Sequence, residues 1–420
     1  MKTKVFLIII IVLIIIYFIP VQSKNFFDLY HKKDSAAQSL SEFYKRPTKT
    51  LMINGNEWKY YVGGKGNKTI LFIHGMGGAY DLWWQQIKEF ENDFKVISYT
   101  LPENVDNLND ALEGIKAILK KENVDKFYAV GTSMGGYITQ YLVKNMPDRV
   151  EKAVFGNTFP PNDEIRKENK VKARIIPYLP EMLIGYFGNK SLQNKILPAA
   201  ENDSLLAAFL PTLPFSKKQF INRYRVVIDF FTINPSVYQI KRIPKLIMES
   251  DNDPLISPNL RKELKALYPD AQVYTFHKAG HFPYINRADE YNRVLRKFLE
   301  SPNPYQQVEK TLNSYFEARK KGDLNLMKKA FYEPSLLFTT ENDTIKTIDI
   351  NQYFQMIDGN KNPNLKTRIL YVSIQNNLAF AKTLFEYHEN SYLDFLNLIK
   401  AQNNWKIVNK NFTKLKSQND

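Results

Sequence analysis

Five consecutive residues, Gly131-Thr132-Ser133-Met134-Gly135, constrain the fold of this chain more tightly than any other stretch. They set a G-x-S-x-G pattern between a short aromatic and β-branched run, Phe127-Tyr128-Ala129-Val130, and a segment in which Ile138, Tyr141, Leu142 and Met146 recur at helical spacing until Pro147 ends it. A strand that turns into a helix this abruptly forces its central residue into strained backbone angles. Small residues must flank it so that strand and helix can approach. The Ser133 hydroxyl would then stand clear of a sheet end. The Met134 amide would open the helix, where the aligned peptide dipoles favour negative charge.

A serine hydroxyl is a weak nucleophile near neutral pH and needs a base, which in turn needs an acceptor to fix its tautomer. Of five histidines, His31 follows the N-terminal apolar segment and His388 lies near the far end, leaving His74, His277 and His281. His74 ends the apolar run Thr69-Ile70-Leu71-Phe72-Ile73 and precedes Gly75-Met76-Gly77-Gly78, a loop whose backbone amides are free to be placed. That is the signature of an oxyanion loop, with the amides of Met76 and Met134 as the two donors. His277 ends the strand-like Gln272 to Phe276, where packing or solvation explains it; His281 follows Ala279-Gly280 in a loop before the helical run Glu290 to Leu299. The base is assigned to His281. An orienting carboxylate is expected between serine and histidine, and the loop Ser250-Asp251-Asn252-Asp253-Pro254, after the apolar Lys245 to Glu249, offers both Asp251 and Asp253.

With these residues in view, Leu51 to Leu299 resembles the α/β-hydrolase family: Ile73-His74-Gly75-Met76-Gly77-Gly78, the serine elbow, Asp253 and Gly280-His281 stand in the family's positions. The resemblance implies Asp253 as the acid, since the stretch through Pro254 to Pro258 resembles the family's acid loop. Asp251 is the alternative, with closure of an Asx-turn as its other role. Gly131 to Phe159 together with Lys245 to Tyr284 is similar to maspardin-like members, a subgroup whose histidine position can be impaired. His281 is present here, so the departure favours activity, while the subgroup keeps open a non-catalytic binding or scaffold role.

Strand-like segments at Trp58 to Val62, Thr69 to Ile73, Lys95 to Tyr99, Phe127 to Val130 and Lys152 to Phe155 alternate with helical ones such as Asn107 to Glu122. This rhythm predicts a mostly parallel, doubly wound sheet, and each candidate residue falls at a C-terminal strand end, where such sheets bind ligands. Between about residues 158 and 242 the rhythm lapses into helical, aromatic, proline-punctuated sequence, read as a cap with apolar residues toward an acyl group. From Ser301, after Glu300, helical patterns precede long alternating strands, predicting a separate α+β domain over 301–420. Asn377 to Lys382 and Trp405 to Lys410 resemble the NTF2-like superfamily, in its SnoaL-like and lumazine-binding-like branches. That resemblance implies a cone with a pocket that serves ligands or dimer contacts. No acid-base pair stands out in it, and no site is named there.

The chain begins with Lys2 and Lys4 before an unbroken apolar run from Val5 to Ile19, then Pro20-Val21-Gln22-Ser23. Residues 1–23 are read as a signal peptide or N-terminal membrane anchor and 24–49 as a linker, with the hydrolase domain over 50–300. Lys and Arg number 58 against 43 Asp and Glu, a formal charge of +15 that suits an anionic surface such as membrane lipid. The basic residues are dispersed, which argues against nucleic acid as a partner. Absence of cysteine excludes disulfides and thiolate metal sites. No His, Asp or Glu cluster has metal-ligand spacing, and Gly63 to Thr69 lacks the glycine a phosphate loop needs before its lysine. The expectation is therefore an exported serine hydrolase acting on a small acyl substrate, without cofactor or metal.

Overall fold

The computed structural model describes residues 17, 19–388 and 390–415. The apolar N-terminal run, and with it the signal or anchor expectation, lies almost wholly outside the described residues. Among the described residues no helix is long and apolar enough to cross a membrane. The chain divides into two compact units, one of residues up to Pro235 with Ile243–Glu300, the other of Ser236–Arg242 with Ser301 onward.

The first unit is built on an eight-stranded sheet in the order β1-β2-β4-β3-β5-β6-β7-β8. Its strands are β1 (Lys49–Ile53), β2 (Asn56–Gly63), β3 (Thr69–Ile73), β4 (Lys95–Tyr99), β5 (Phe127–Thr132), β6 (Val150–Gly156), β7 (Lys245–Ser250) and β8 (Gln272–Phe276). The first two pairings, β1 with β2 and β2 with β4, are antiparallel; the rest are parallel. Every residue of β3, β5 and β7 is buried, as expected of parallel strands covered by helices on both faces. Their sequences are largely apolar, with Lys245, Glu249 and Ser250 of β7 buried as well. Helices over Glu164–Glu168, Lys170–Ile175, Glu181–Ser191, Ser204–Phe209 and Lys217–Ile228 form the inserted cap between β6 and β7.

Two boundaries depart from the sequence reading. Residues 24–49 are not a bare linker: they carry helices at Phe26–Leu29 and Ser35–Tyr44, capped by the side chains of Asn25 and Asp34. Phe26, Tyr30, Leu40 and Phe43 from this stretch join the main core cluster with Trp84 and Phe209, so apolar burial fixes it to the domain. The cap is also shorter than expected, because Ser236–Arg242 belongs to the second unit. There Tyr238 is buried in the second core and donates to Glu309 at 2.6 Å.

The second unit has a six-stranded sheet in the order β10-β9-β14-β13-β12-β11, antiparallel except for β14 with β9. The strands are β9 (Phe331–Glu341), β10 (Thr344–Asp349), β11 (Lys366–Gln375), β12 (Leu378–Glu386), β13 (Ser391–Ala401) and β14 (Asn404–Leu415). Helices Pro304–Lys321, Leu324–Ala330 and Ile350–Ile357 supply the rest of its core. The sequence reading missed β10, whose first four residues are all exposed and show no alternation.

Candidate active site

Ser133 sits between β5 and the helix Met134–Asn145 with φ +53° and ψ −122°, a backbone region that non-glycine residues rarely occupy. Strain of this kind is of the order of 1–3 kcal/mol and must be held by its surroundings. The Ser133 amide donates to Gly156 O at 2.8 Å and the Thr158 hydroxyl donates to Ser133 O at 2.6 Å. The flanking glycines make the turn sterically feasible. A Cβ on Gly131 would lie 2.1 Å from Gly135 O, and one on Gly135 would lie 2.1 Å from Ile73 O. The pentapeptide therefore carries glycine for close approach of strand, helix and the neighbouring strand end.

The loop after β3 runs beside this serine: a Cβ on Gly75 would be 3.8 Å from Ser133 Oγ. His74 is a buried pin for that loop. Its Nε2 accepts from the Leu101 amide at 2.9 Å, so Nδ1 carries the proton and donates to Gly75 O at 2.7 Å. Burial, helped by the charge of Arg223, pushes its pKa down to about 3, which keeps the ring neutral. Arg223, on the cap helix Lys217–Ile228, holds the same loop from the other side, donating to Met76 O at 2.7 Å, Gly78 O at 2.8 Å and Leu101 O at 2.8 Å. Burial lowers its pKa to about 9. No carboxylate pairs with this guanidinium among the described residues. The amides of Met76 and Met134 have no protein acceptor among the described residues.

The structure brings Asp253 and His281 together. His281 Nδ1 lies 2.8 Å from Asp253 Oδ2 and 3.0 Å from Oδ1, with the two side chains 3% and 0% exposed. Gly280, at φ +64°, turns the chain into this position, and its amide donates to Asn252 Oδ1 at 3.0 Å. Asp253 also accepts from the amides of Leu255 at 2.8 Å and Ile256 at 3.2 Å. Burial raises its pKa, but the His281 charge and these hydrogen bonds outweigh burial, leaving the carboxyl below its ordinary range. Asp251 is occupied elsewhere: it meets His277 at 2.5 Å in a pair whose side chains are 38% and 77% exposed, and accepts from the Lys278 amide. No hydrogen bond joins Ser133 Oγ to His281 among the described residues.

One residue of this network escaped the sequence reading. Asn157, directly after β6 and at φ +38°, donates from Nδ2 to Asp253 Oδ2 at 2.9 Å and to Gly280 O at 3.3 Å. It thereby ties the acid loop and the histidine loop to the end of β6. The signal available was an asparagine straight after a buried strand, a type that tolerates left-handed backbone. In the second unit, Lys410 Nζ lies 2.8 Å from Asp394 Oδ2 and 2.6 Å from Tyr315 Oη, with Tyr353 at 3.2 Å, all buried. These residues come from two strands and two helices, so no local spacing announces them.

Comparison with known proteins agrees with this architecture. The α/β hydrolase fold family model matches residues 68–288, more than half of the chain, and the family described as "Putative lumazine-binding" matches residues 303–413, in line with the NTF2-like type of the second unit. The esterase YbfF of Escherichia coli (strain K12) is 22% identical over 56% of this chain and 93% of its own length. Maspardin of Mus musculus is 22% identical over 60% of this chain and 83% of its own. Among solved structures, a hydrolase from Pseudomonas aeruginosa PA01 superposes with a TM-score of 0.53 at 18% identity, covering 60% of this chain and 98% of that one. The enol-lactonase from Burkholderia xenovorans LB400 gives a TM-score of 0.51 at 20% identity, covering 60% and 100%. At these identities the structural likenesses speak for the fold, and with a family model spanning β3 to the histidine loop, the chain belongs to the α/β hydrolase fold family.

Proposed function

We propose that this chain is a serine hydrolase that cleaves a carboxylic ester with an apolar acyl group. Ser133 Oγ attacks the ester carbonyl while His281 Nε2 takes its proton. The tetrahedral oxyanion is held by the amides of Met76 and Met134, each contributing roughly 3 kcal/mol by comparison with measured oxyanion donors. Collapse breaks the C–O bond, and His281 returns the proton to the departing alcohol. Water then repeats the sequence on the acyl-enzyme. Asp253 holds Nδ1 throughout and stabilises the imidazolium.

The observation that carries this reading is the buried Asp253–His281 pair on loops at the ends of β7 and β8, facing a sheet whose central strand ends in a strained serine. Neutral His74 and the unpartnered loop amides support it, and the apolar cap sequence supports the choice of acyl group. The basic and apolar N-terminus supports export or anchoring as the setting. A fluorophosphonate probe tests the chemistry: wild type should be labelled and Ser133→Ala should not. Equal labelling of both, or of neither, rejects the proposal, and the second outcome would favour a binding or scaffold role.

A further inference from the structure

The cap helices carry large apolar side chains on the outside. Val171, Ile175 and Tyr178 are 68%, 50% and 80% exposed on the turn of helix that ends at Tyr178. On the next helix Met182 and Tyr186, and Leu183 and Phe187, form two pairs spaced four apart and all well exposed. Only Ile184 of that helix is buried. Large apolar side chains exposed together on neighbouring helices mark an interaction site.

Two further observations say what covers it. Lys170, Lys172 and Arg174 lie on the first of these helices, Lys190 on the second, and Arg166 and Lys167 on the preceding helix Glu164–Glu168; none forms an ion pair with a carboxylate among the described residues. Of the acids of this stretch, Glu181 accepts from the amides of Val21 and Lys217 and Glu164 from Ser257 and Asn259, while Asp163 and Glu168 are exposed, so these cations outnumber the outward-facing acids. Aromatic and aliphatic residues flanked by unpaired cations are the composition of a helix that lies in a membrane interface. Second, the end of the apolar N-terminal run and the chain just after it are fastened to the cap at Tyr17 and Val21. The Tyr17 hydroxyl donates to Pro177 O at 3.4 Å and accepts from Lys217 Nζ at 2.9 Å, and that ammonium lies 4.4 Å from the Tyr17 ring centroid. Val21 donates to Glu181 Oε1 at 2.9 Å, and its side chain presses on Gly185 so closely that a Cβ there would lie 2.5 Å from it. The sequence before Tyr17, back to Val5, has no charged residue. At Tyr17 and Val21 the chain therefore meets the protein beside its exposed apolar face.

We infer that the outer face of cap helices Lys170–Ile175 and Glu181–Ser191 docks on an anionic lipid bilayer, its apolar side chains entering the interface and its lysines and arginines meeting the headgroups. This rests on the exported or anchored setting proposed above, but not on Ser133 chemistry. The full chain, which has no native cysteine, permits single environment-sensitive fluorophores at Tyr178→Cys, Phe187→Cys and, on a helix away from the cap, Lys120→Cys. On phosphatidylglycerol-containing vesicles the first two should be quenched by nitroxide-bearing lipid and shielded from aqueous iodide, while the third should respond to iodide alone. Combined Lys167→Glu, Lys170→Glu and Lys172→Glu substitution should weaken lipid quenching at position 178 roughly tenfold or more, and salt should do the same to the native charge set. The inference fails if vesicle-bound protein leaves positions 178 and 187 open to iodide, or if the chain does not bind vesicles. It fails also if both positions are shielded from lipid and aqueous quenchers alike, which would place residues 5–16 or a second copy of the chain on this face. Because no turnover is read, failure here and failure of fluorophosphonate labelling are separate results.

Discussion

Asp253 accepts hydrogen bonds from His281, Asn157 and two backbone amides while buried in the protein. Its carboxyl is held below the ordinary range, so the charged form is favoured more in the folded than in the unfolded chain. The sign follows directly: this contribution to stability is complete above the unfolded carboxyl pKa of about 3.9 and is lost as pH falls through the lower folded value. Asp253→Asn should flatten that part of the acid unfolding profile in thermal melts, and should lower kcat by roughly 10⁴ by misassigning the His281 tautomer. The glycines make a matched pair of predictions. Gly135→Ala places a methyl 2.1 Å from Ile73 O and 2.7 Å from His74 O, both backbone atoms, whereas Gly77→Ala meets nothing within 4 Å. The first should cost about 2 kcal/mol or more in chemical unfolding, the second about 0.5 kcal/mol or less. Much at this scale was legible in sequence, because G-x-S-x-G states its steric demand directly. Two aspartates two residues apart state no such preference. Resemblance to the family's acid loop favoured Asp253; the structure puts Asp251 on His277 and Asp253 on His281, and only long-range packing reveals Asn157 beside the latter pair.

Strands whose faces are both buried announce themselves as apolar runs, and β3, β5 and the Leu246-Ile247-Met248 centre of β7 were readable for that reason. Elements whose partners lie far along the chain were not. The helices of residues 24–49 are short, and the core side chains of this stretch acquire meaning only against Trp84 and Phe209. β10 borrows its order from β9 by backbone pairing, with little apolar content of its own. The cap helix Lys217–Ile228 illustrates what such distant partners do. Its Arg223 satisfies three carbonyls, on the loop after β3 and after β4, with a charge that has no carboxylate beside it among the described residues. Arg223→Met should leave those carbonyls without a donor and cost about 1–3 kcal/mol in urea unfolding. If the loop then shifts, kcat should fall more than KM rises, and Arg223→Lys should restore only part of the loss, since an ammonium lacks the planar fork. A KM effect alone would limit Arg223 to holding the cap.

Each of the two units has its own core cluster, and the second encloses the buried pair of Lys410 and Asp394. Burial lowers the Lys410 pKa, but the Asp394 carboxylate outweighs it, so the ammonium form is kept. Removing one partner alone, by Asp394→Leu or Lys410→Met, should cost about 3–5 kcal/mol, and the double variant should cost clearly less than the sum in a thermal double-mutant cycle. Strict additivity would mean that Asp394 and Lys410 act separately. The domain boundary was visible in sequence as the change of pattern at Ser301. The excursion of Ser236–Arg242 was not, because seven residues with two buried side chains, Tyr238 and Ile240, leave no periodic trace. That excursion has a topological consequence. The backbone enters the second unit at Ser236, leaves it before Ile243 and enters again at Ser301, so the two units are stitched together rather than strung in series. A protease cutting once between Glu300 and Ser301 would nick the chain without freeing a fragment, since Tyr238 and Arg242 remain gripped by Glu309. Truncation at the same bond would strip Tyr238 of its pocket, and a clean separation requires two cuts or a shortened crossing at residues 236–242.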